Sequence, residues 1–356
     1  MNIAVVAETA PAKSLIPVIE NLNDNILSLT HSEGAMKLLS PYSTLIKPIG
    51  QSRRNTVEKR SNFTIGRLVL QDTFRTYKAL RNEDIDLVLT CGNAGDVRKG
   101  IAAAKKLKIP RIHMEQDIYN PIEMIAYADL ITVPNRNAKK SLKKMYDITN
   151  TVNIKGYPQA DYVSRVELME PEIFYSNFKT DDFYVLFLGG DTLASDINDI
   201  IQEVQKLDKT IIIVPYRFPA KEVSKYVTRS NVYVLDGYVD LLSLMNASQG
   251  VLYCAGMGVT IEVGVLSVPS VKILGFHTEH ASNDLARNLG IGVVSAFDIE
   301  NAVSRMRKPH GSRLIKNGTR ASLKVAELTR NMSMFDQTQG GIMSLKKIWD
   351  QRKKYR

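Results

Sequence analysis

Six residues of apolar and aromatic character, 183–188, run directly into Gly189-Gly190. Beyond that pair Ile197, Ile200, Ile201 and Val204 recur at the i, i+3, i+4, i+7 spacing of one helix face. Strand, tight turn and amphipathic helix in that order build half of a parallel βαβ unit. Such a turn leaves the first N–H groups of the helix without carbonyl partners, and with the helix dipole behind them they suit an anion such as a diphosphate.

The pattern recurs along the chain. Strand-like runs at 3–7, 85–90, 111–113 and 129–133 alternate with the helical stripes Leu15, Val18, Ile19, Leu22 and Val97, Ile101, Ala104. The rhythm restarts after Lys155-Gly156-Tyr157-Pro158, with strands at 183–188, 210–214, 231–235, 250–253, 270–274 and 292–294. This predicts an α/β chain of two Rossmann-like domains facing a cleft, which suits its 356 residues. The expected boundaries are 1–156 and 157–335, with 336–356 a C-terminal helix crossing back to the first domain. Ligands of such sheets sit beyond the carboxyl ends of the strands. The loops that matter are therefore 8–14, 91–95, 114–121, 189–195, 216–219, 255–260 and 275–283.

The net charge of +10 is concentrated in two places. Residues 51–81 carry eight Lys/Arg against Glu58 and Asp72, and 343–356 carry six against Asp350. Patches of this kind suit anionic partners. Phe63, Ile65, Leu68, Val69, Leu70 and Phe74 interleave with the first patch, so 51–81 reads as a surface for an anionic membrane, extended by the C-terminal tail with Trp349. No RNA- or DNA-binding signature accompanies the charge, and nucleic acid is not an expected partner. No apolar run approaches the ~20 residues of a membrane span, and 1–7 reads as a strand rather than a leader. The expected location is cytoplasmic, peripheral on the inner face of the cell membrane, with Cys91 and Cys254 as buried free thiols.

Two further segments carry chemistry. Tyr253-Cys254-Ala255-Gly256-Met257-Gly258-Val259-Thr260-Ile261-Glu262 is a second strand–turn–helix, with Glu262 one turn inside the helix, where it can accept from a ribose diol. Gly275-Phe276-His277-Thr278-Glu279-His280-Ala281-Ser282-Asn283-Asp284 gathers two of the chain's five histidines after the strand 270–274. A spacing of three without a third ligand does not make a metal site, so contacts to a bound sugar are expected there and no metal.

In order, these motifs resemble the two-domain glycosyltransferases of the GT-B fold. More narrowly, they resemble the family 28 transferases that move N-acetylglucosamine from UDP during synthesis of the peptidoglycan lipid intermediate. Gly189-Gly190-Asp191-Thr192-Leu193-Ala194-Ser195-Asp196-Ile197-Asn198 stands where that family has Gly-Gly-Ser-x-Gly-Ala-x-x-Leu-Asn. Ala255-Gly256-Met257-Gly258-Val259-Thr260-Ile261-Glu262 is similar to its Ala-Gly-Ala-x-Thr-x-x-Glu turn. Ile109-Pro110-Arg111-Ile112-His113-Met114-Glu115-Gln116-Asp117 is similar to its Ile-Pro…His-Glu-Gln-Asn run.

The resemblance implies transfer of a sugar, an N-acetylhexosamine, from a UDP-sugar to a polyprenyl-phosphate-linked or other cell-surface precursor, without cofactor. The donor would be held by Gly189, Gly190, Asp191, Thr192, Ala255, Gly256, Met257, Gly258, Thr260, Glu262, His277 and Asn283, with Arg217 as a cation for the diphosphate. The departures are local. Ala10-Pro11-Ala12-Lys13-Ser14 replaces a Gly-rich loop with a catalytic His, putting Ser14 or Lys13 in that slot, and Asp191 replaces a Ser beside the diphosphate. The base for the acceptor is expected among Glu115, Glu8 and His113, with Asp117 behind.

Two other readings share the architecture. Non-hydrolysing nucleotide-sugar 2-epimerases have the same UDP pocket and predict an early Gly-Thr-Arg-Pro-Glu loop, whose Arg is missing from Glu8-Thr9-Ala10-Pro11-Ala12. The other is a non-catalytic partner subunit of the same fold.

Overall fold

The computed structural model describes the whole chain except 51–61, 94, 238, 277–278, 333–339 and 354–356. It contains two compact units, Met1–Tyr162 with Lys316–Arg356, and Val163–Ile315.

Unit one holds β1 (Asn2–Val6), β2 (Asn25–Thr30), β3 (Leu45–Pro48), β4 (Leu87–Cys91), β5 (Arg111–Met114), β6 (Leu130–Val133) and β7 (Thr151–Asn153). They form one parallel sheet in the order β3-β2-β1-β4-β5-β6-β7. Along β1, Ile3 and Val5 pack with Leu15 and Val18 of the helix Thr9–Ile19, while Ala4 and Val6 pack on the other face with Leu80 and Ala103. A strand buried on both faces is apolar throughout, which is why 3–7 and 85–90 read as runs and not alternations. Ala321, Val325 and Leu328 of the helix Ser312–Arg330 complete the first of these cores.

Unit two holds β8 (Phe183–Phe187), β9 (Thr210–Val214), β10 (Val232–Val234), β11 (Gly250–Tyr253), β12 (Ser270–Ile273) and β13 (Gly292–Val294). All neighbours are parallel, in the order β10-β9-β8-β11-β12-β13. The stripe Ile197, Ile200, Ile201, Val204 is buried against Leu186, Ile213 and Leu252. Its α-helix is Ile197–Val204, entered through a 3₁₀ turn at Ala194–Asp196.

Both units are therefore Rossmann-like α/β sheets. In each, chain order reverses beside the first strand, at β1/β4 and at β8/β11, so loops leaving these strand ends turn to opposite faces and open a crevice.

On the surface of unit one the helix Asn62–Asn82 exposes Leu70 and Phe74 beside Arg67, Arg75, Lys78 and Arg81, with the Lys78 ammonium 4.8 Å above the Phe74 ring. The remainder of the basic segment, 51–61, lies outside the described residues. Among those residues no helix is long and apolar enough to cross a membrane.

Candidate functional site

The crevice of unit two is closed at its base by direct contact between backbones. A Cβ on Gly189 would lie 2.4 Å from the Cys254 carbonyl oxygen and 2.5 Å from Ala255 Cβ, so only glycine lets the loops after β8 and β11 meet. Gly190 faces open space. Asp191 is buried, its carbonyl accepts the Phe276 N–H at 3.2 Å, and Gly275 leaves no room for a Cβ against its carboxylate. The Thr192 hydroxyl reaches the Cys254 carbonyl at 3.5 Å, and the Arg217 guanidinium, from the loop after β9, donates to the Thr192 carbonyl. Arg217 thus ties the loop after β9 to the loop after β8 and places a positive charge beside it. Burial pushes the Cys254 thiol beneath these loops up to about 12, so it is neutral and unreactive.

Across the crevice, the helix Met257–Leu266 starts at Gly256 with no side-chain cap and no acidic residue in its first turn. The Tyr253 hydroxyl donates to the Thr260 hydroxyl at 3.2 Å, which donates to the Gly256 carbonyl at 3.1 Å, fixing this end from below. Met257 is buried, Gly258 follows it in the first turn, and Glu262 stands on the next turn, 3% exposed. His277 lies outside the described residues. His280 is the histidine the structure places: its Nδ1 accepts from the Ser282 N–H at 3.0 Å and lies 2.8 Å from the Ser282 hydroxyl, capping the helix Ala281–Asn288. Its Cε1–Nε2 edge lies beside Gly256, and Asn283 is buried in the first turn of the helix it caps. The sequence placed both histidines in a sugar-contacting loop and named His277 for the donor; His280 is the one whose contacts are described.

In unit one the candidate bases fall into separate places. Glu115 is 2% exposed; its Oε1 accepts the N–H groups of Gln116 at 2.9 Å and Asp117 at 2.8 Å, and its Oε2 lies 3.3 Å from His113 Nε2. His113 Nδ1 meets the Thr90 hydroxyl at 2.9 Å, so Thr90, His113 and Glu115 form one buried chain. Glu115 lines a water-sized cavity with Gln116, Thr132 and Tyr157, and the Thr132 hydroxyl there has no hydrogen-bond partner. Ser14 has no exposed surface, and its hydroxyl accepts from the Gln116 amide at 2.6 Å. It holds the 115–117 loop and is not placed to act as a base. Asp117 is buried, accepting the Tyr119 N–H at 3.2 Å.

Glu8 is the N-cap of the helix Thr9–Ile19, and its carboxylate is 3.9 Å from His31 Nδ1. That brings in two residues the sequence did not suggest. His31 follows β2, and Asp96 lies in the first turn of the helix Gly95–Leu107. The Asp96 carboxylate, with no exposed surface, accepts from the His31 N–H at 3.1 Å and contacts its Nδ1 at 2.6 Å. Lys99, also buried, bridges Asp96 at 3.2 Å and Asp72 at 2.9 Å. The hydrogen bond to Asp96 raises the His31 pKa against the opposing effect of burial. Burial alone would raise the Asp96 carboxyl, but the His31 hydrogen bond and charge, with Lys99, hold it below its usual range. The His31 contribution to stability is therefore full below 6.5 and disappears as pH climbs through the raised value. The Asp96 contribution is present above 3.8 and is lost as pH falls through the lowered value. Urea unfolding of wild type and His31→Gln between about pH 5 and pH 9 should show their stability difference shrinking as pH rises; a constant difference would contradict it.

No protein-family model and no curated protein matches the sequence. Solved structures do. The UDP-GlcNAc 2-epimerase of Methanocaldococcus jannaschii, in complex with UDP-GlcNAc and UDP, superposes with a TM-score of 0.68 at 17% identity, covering 93% of this chain and 100% of its own. The UDP-N-acetylglucosamine 2-epimerase of Rickettsia bellii gives 0.70 at 16%, covering 94% and 96%. The glycosyltransferase SnogD of Streptomyces nogalater gives 0.52 at 13%, covering 94% and 99%.

The fold is GT-B.

At these identities the likeness establishes the fold alone. It also corrects the expectation of a transferase: the repeated, higher-scoring likeness is to 2-epimerases. The lipid-linked acceptor belongs to that transferase expectation and is corrected with it. The motifs that suggested a transferase are those the resemblance assigns to the nucleotide, and such motifs do not distinguish the two reactions.

Proposed function

We propose that the chain is a nucleotide-sugar 2-epimerase of the non-hydrolysing type, binding its nucleotide in the β8–β11 crevice of unit two. The repeated likeness to 2-epimerases supports the reaction, and the crevice supports the nucleotide: a helix N-terminus at Gly256, the loop after β8 seated against it through Gly189, Arg217 bonded to that loop, and Glu262 one turn along. Helix N–H groups and the guanidinium balance a diphosphate, and a carboxylate accepts from both hydroxyls of a ribose. UDP-GlcNAc and UDP, named for the Methanocaldococcus structure, support UDP as the nucleotide.

C2 of a glycosyl diphosphate carries a hydrogen that no carbonyl acidifies. Inversion is reached by breaking C2–H and C1–O together. The proton passes to a base, the C–H electron pair becomes the C1=C2 bond, and the C1–O pair leaves with UDP. Returning the proton to the opposite face of C2, and the diphosphate oxygen to C1, completes the inversion with no redox change and no water consumed. The departing diphosphate is stabilised by preorganised N–H groups, and the proton needs a positioned carrier, for which Glu115 is the first candidate. The basic stripe Arg67, Arg75, Lys78 and Arg81 remains a surface for an anionic partner outside this chemistry.

The test is thermal stabilisation by UDP, GDP and TDP, followed by NMR of UDP-N-acetylglucosamine incubated with the protein. A ligand at 100-fold its Kd adds about 2.7 kcal/mol, or roughly 5–10 °C for a unit of this size. UDP should give that shift, Glu262→Ala should remove it, and the C2 epimer should accumulate. Stabilisation by none of the nucleotides would favour the non-catalytic reading instead.

A further inference from the structure

In unit one the carboxyl ends of β2, β1 and β4 lie side by side, and one side chain from beyond each of them meets the others. Glu8 follows β1, His31 follows β2, and Asp96 opens the helix after β4; one donor atom of each lies within 4.8 Å of the other two. His31 Nδ1 is central, 2.6 Å from Asp96 Oδ2 and 3.9 Å from Glu8 Oε1. An ion bonded to all three at about 2.0–2.2 Å holds such donors about 3.4 Å apart, so His31 and Asp96 need open by less than an ångström and Glu8 close by about half of one. The loops are joined beside the cluster: the Thr9 and Ser32 hydroxyls, next in sequence to Glu8 and His31, share a hydrogen bond of 2.6 Å. Asp96 is fully buried, and Lys99 takes its Oδ1 at 3.2 Å, which leaves Oδ2 for the His31 side. Lys99 is divided between Asp96 and Asp72, so Glu8 and Asp96 bring more negative charge than it cancels. Glu8 and His31 are partly exposed, 35% and 14% at their side chains, which gives an ion its way in. One imidazole with two carboxylates is a nitrogen and oxygen donor set that suits Zn2+ and its first-row neighbours, whereas carboxylates alone suit Mg2+ or Ca2+. The expectation of no metal came from the histidines of 275–284; these three ligands are far apart in sequence and meet only in the fold.

We infer that Glu8, His31 and Asp96 form a divalent transition-metal site in unit one, with the remaining coordination left to solvent. On binding, the ion takes the place of the proton between His31 Nδ1 and Asp96 Oδ2, and that proton goes to solvent. The site belongs to unit one alone and does not rest on the epimerase reading.

The experiment uses the full chain, freed of metal with a chelator and titrated with Zn2+ and with Mg2+ by calorimetry. Wild type should bind one equivalent of Zn2+, and Mg2+ at least about tenfold more weakly. His31→Ala and Glu8→Gln should each weaken Zn2+ binding by about tenfold or more, no less than losing a hydrogen-bond partner of a ligand costs. His310→Ala, which removes an exposed histidine of unit two, should leave binding unchanged. NMR of the unsubstituted chain gives a readout free of any folding defect: Zn2+ should shift the His31 ring signals, assigned by their loss in His31→Ala, and leave those of His310 in place. Wild type that binds no Zn2+, or binding that both site substitutions leave unchanged, overturns the inference. Mg2+ binding as tight as Zn2+ also overturns it, by removing the imidazole from the ligand set. None of these outcomes touches the UDP shift or the epimer yield on which the epimerase reading stands.

Discussion

Gln in place of Glu115 is expected to lower epimer interconversion by about 10²–10⁴-fold, the range over which a positioned proton carrier acts, while leaving the fold and UDP stabilisation intact. The reason lies in how the two carboxylate oxygens are used. Oε1 takes the N–H groups of Gln116 and Asp117, contacts that an amide oxygen reproduces. Oε2, 3.3 Å from His113 Nε2, is the atom an NH2 group replaces. That NH2 can donate to Nε2 once the ring carries its proton on Nδ1, which then donates to the Thr90 hydroxyl 2.9 Å away. Packing survives the substitution and proton affinity does not. The check is turnover by NMR beside a thermal melt with and without UDP. Turnover within about tenfold of wild type would remove Glu115 from the chemistry and leave it the role of shaping its loop.

What was legible in the sequence, and what was not, follows from burial and distance along the chain. The strands β4, β8, β9 and β11 stood out because both of their faces are covered, which demands unbroken apolar runs. β2 did not, because Ser28 interrupts it; that hydroxyl is paired with Ser43 at 2.7 Å, which only the folded chain reveals. β3 is an edge strand of four residues containing Lys47 and Pro48, and β7 is an edge strand of three, Thr151-Val152-Asn153, with a single apolar residue. The turn at Gly189 was readable because close backbone approach there excludes every other residue. The His31–Asp96 pair joins residues 65 apart, and neither lies in a local motif, so nothing in the sequence couples them. Ser14 shows the opposite failure: a motif slot made it a candidate base, yet the slot lies inside a packed helix, where its hydroxyl supports Gln116.

Alanine at Gly189 is expected to abolish UDP binding, whereas alanine at Gly190, the next residue, is expected to leave it unchanged. At Gly189 the added carbon would meet the Cys254 carbonyl oxygen at 2.4 Å, Ala255 Cβ at 2.5 Å and Ala255 Cα at 2.7 Å. None of these atoms can rotate aside, so the loops after β8 and β11 must part by about an ångström to restore ordinary contact at 3.4 Å. That displacement strains the bond from the Cys254 N–H to the Phe187 carbonyl, 2.9 Å long, and moves the helix start at Gly256 away from the loop that faces it. Overpacking of this kind costs about 1–3 kcal/mol, so the melting temperature should fall by several degrees before any ligand is added. At Gly190 nothing lies within 4 Å of the same added carbon. Its neighbour is thus a control for loss of glycine flexibility without loss of contact. Thermal melts of both variants with and without UDP separate the causes. A full UDP shift in Gly189→Ala would mean that the nucleotide does not use this crevice, and equal loss in both variants would make flexibility of the turn, rather than the meeting of the two loops, the property that binding requires.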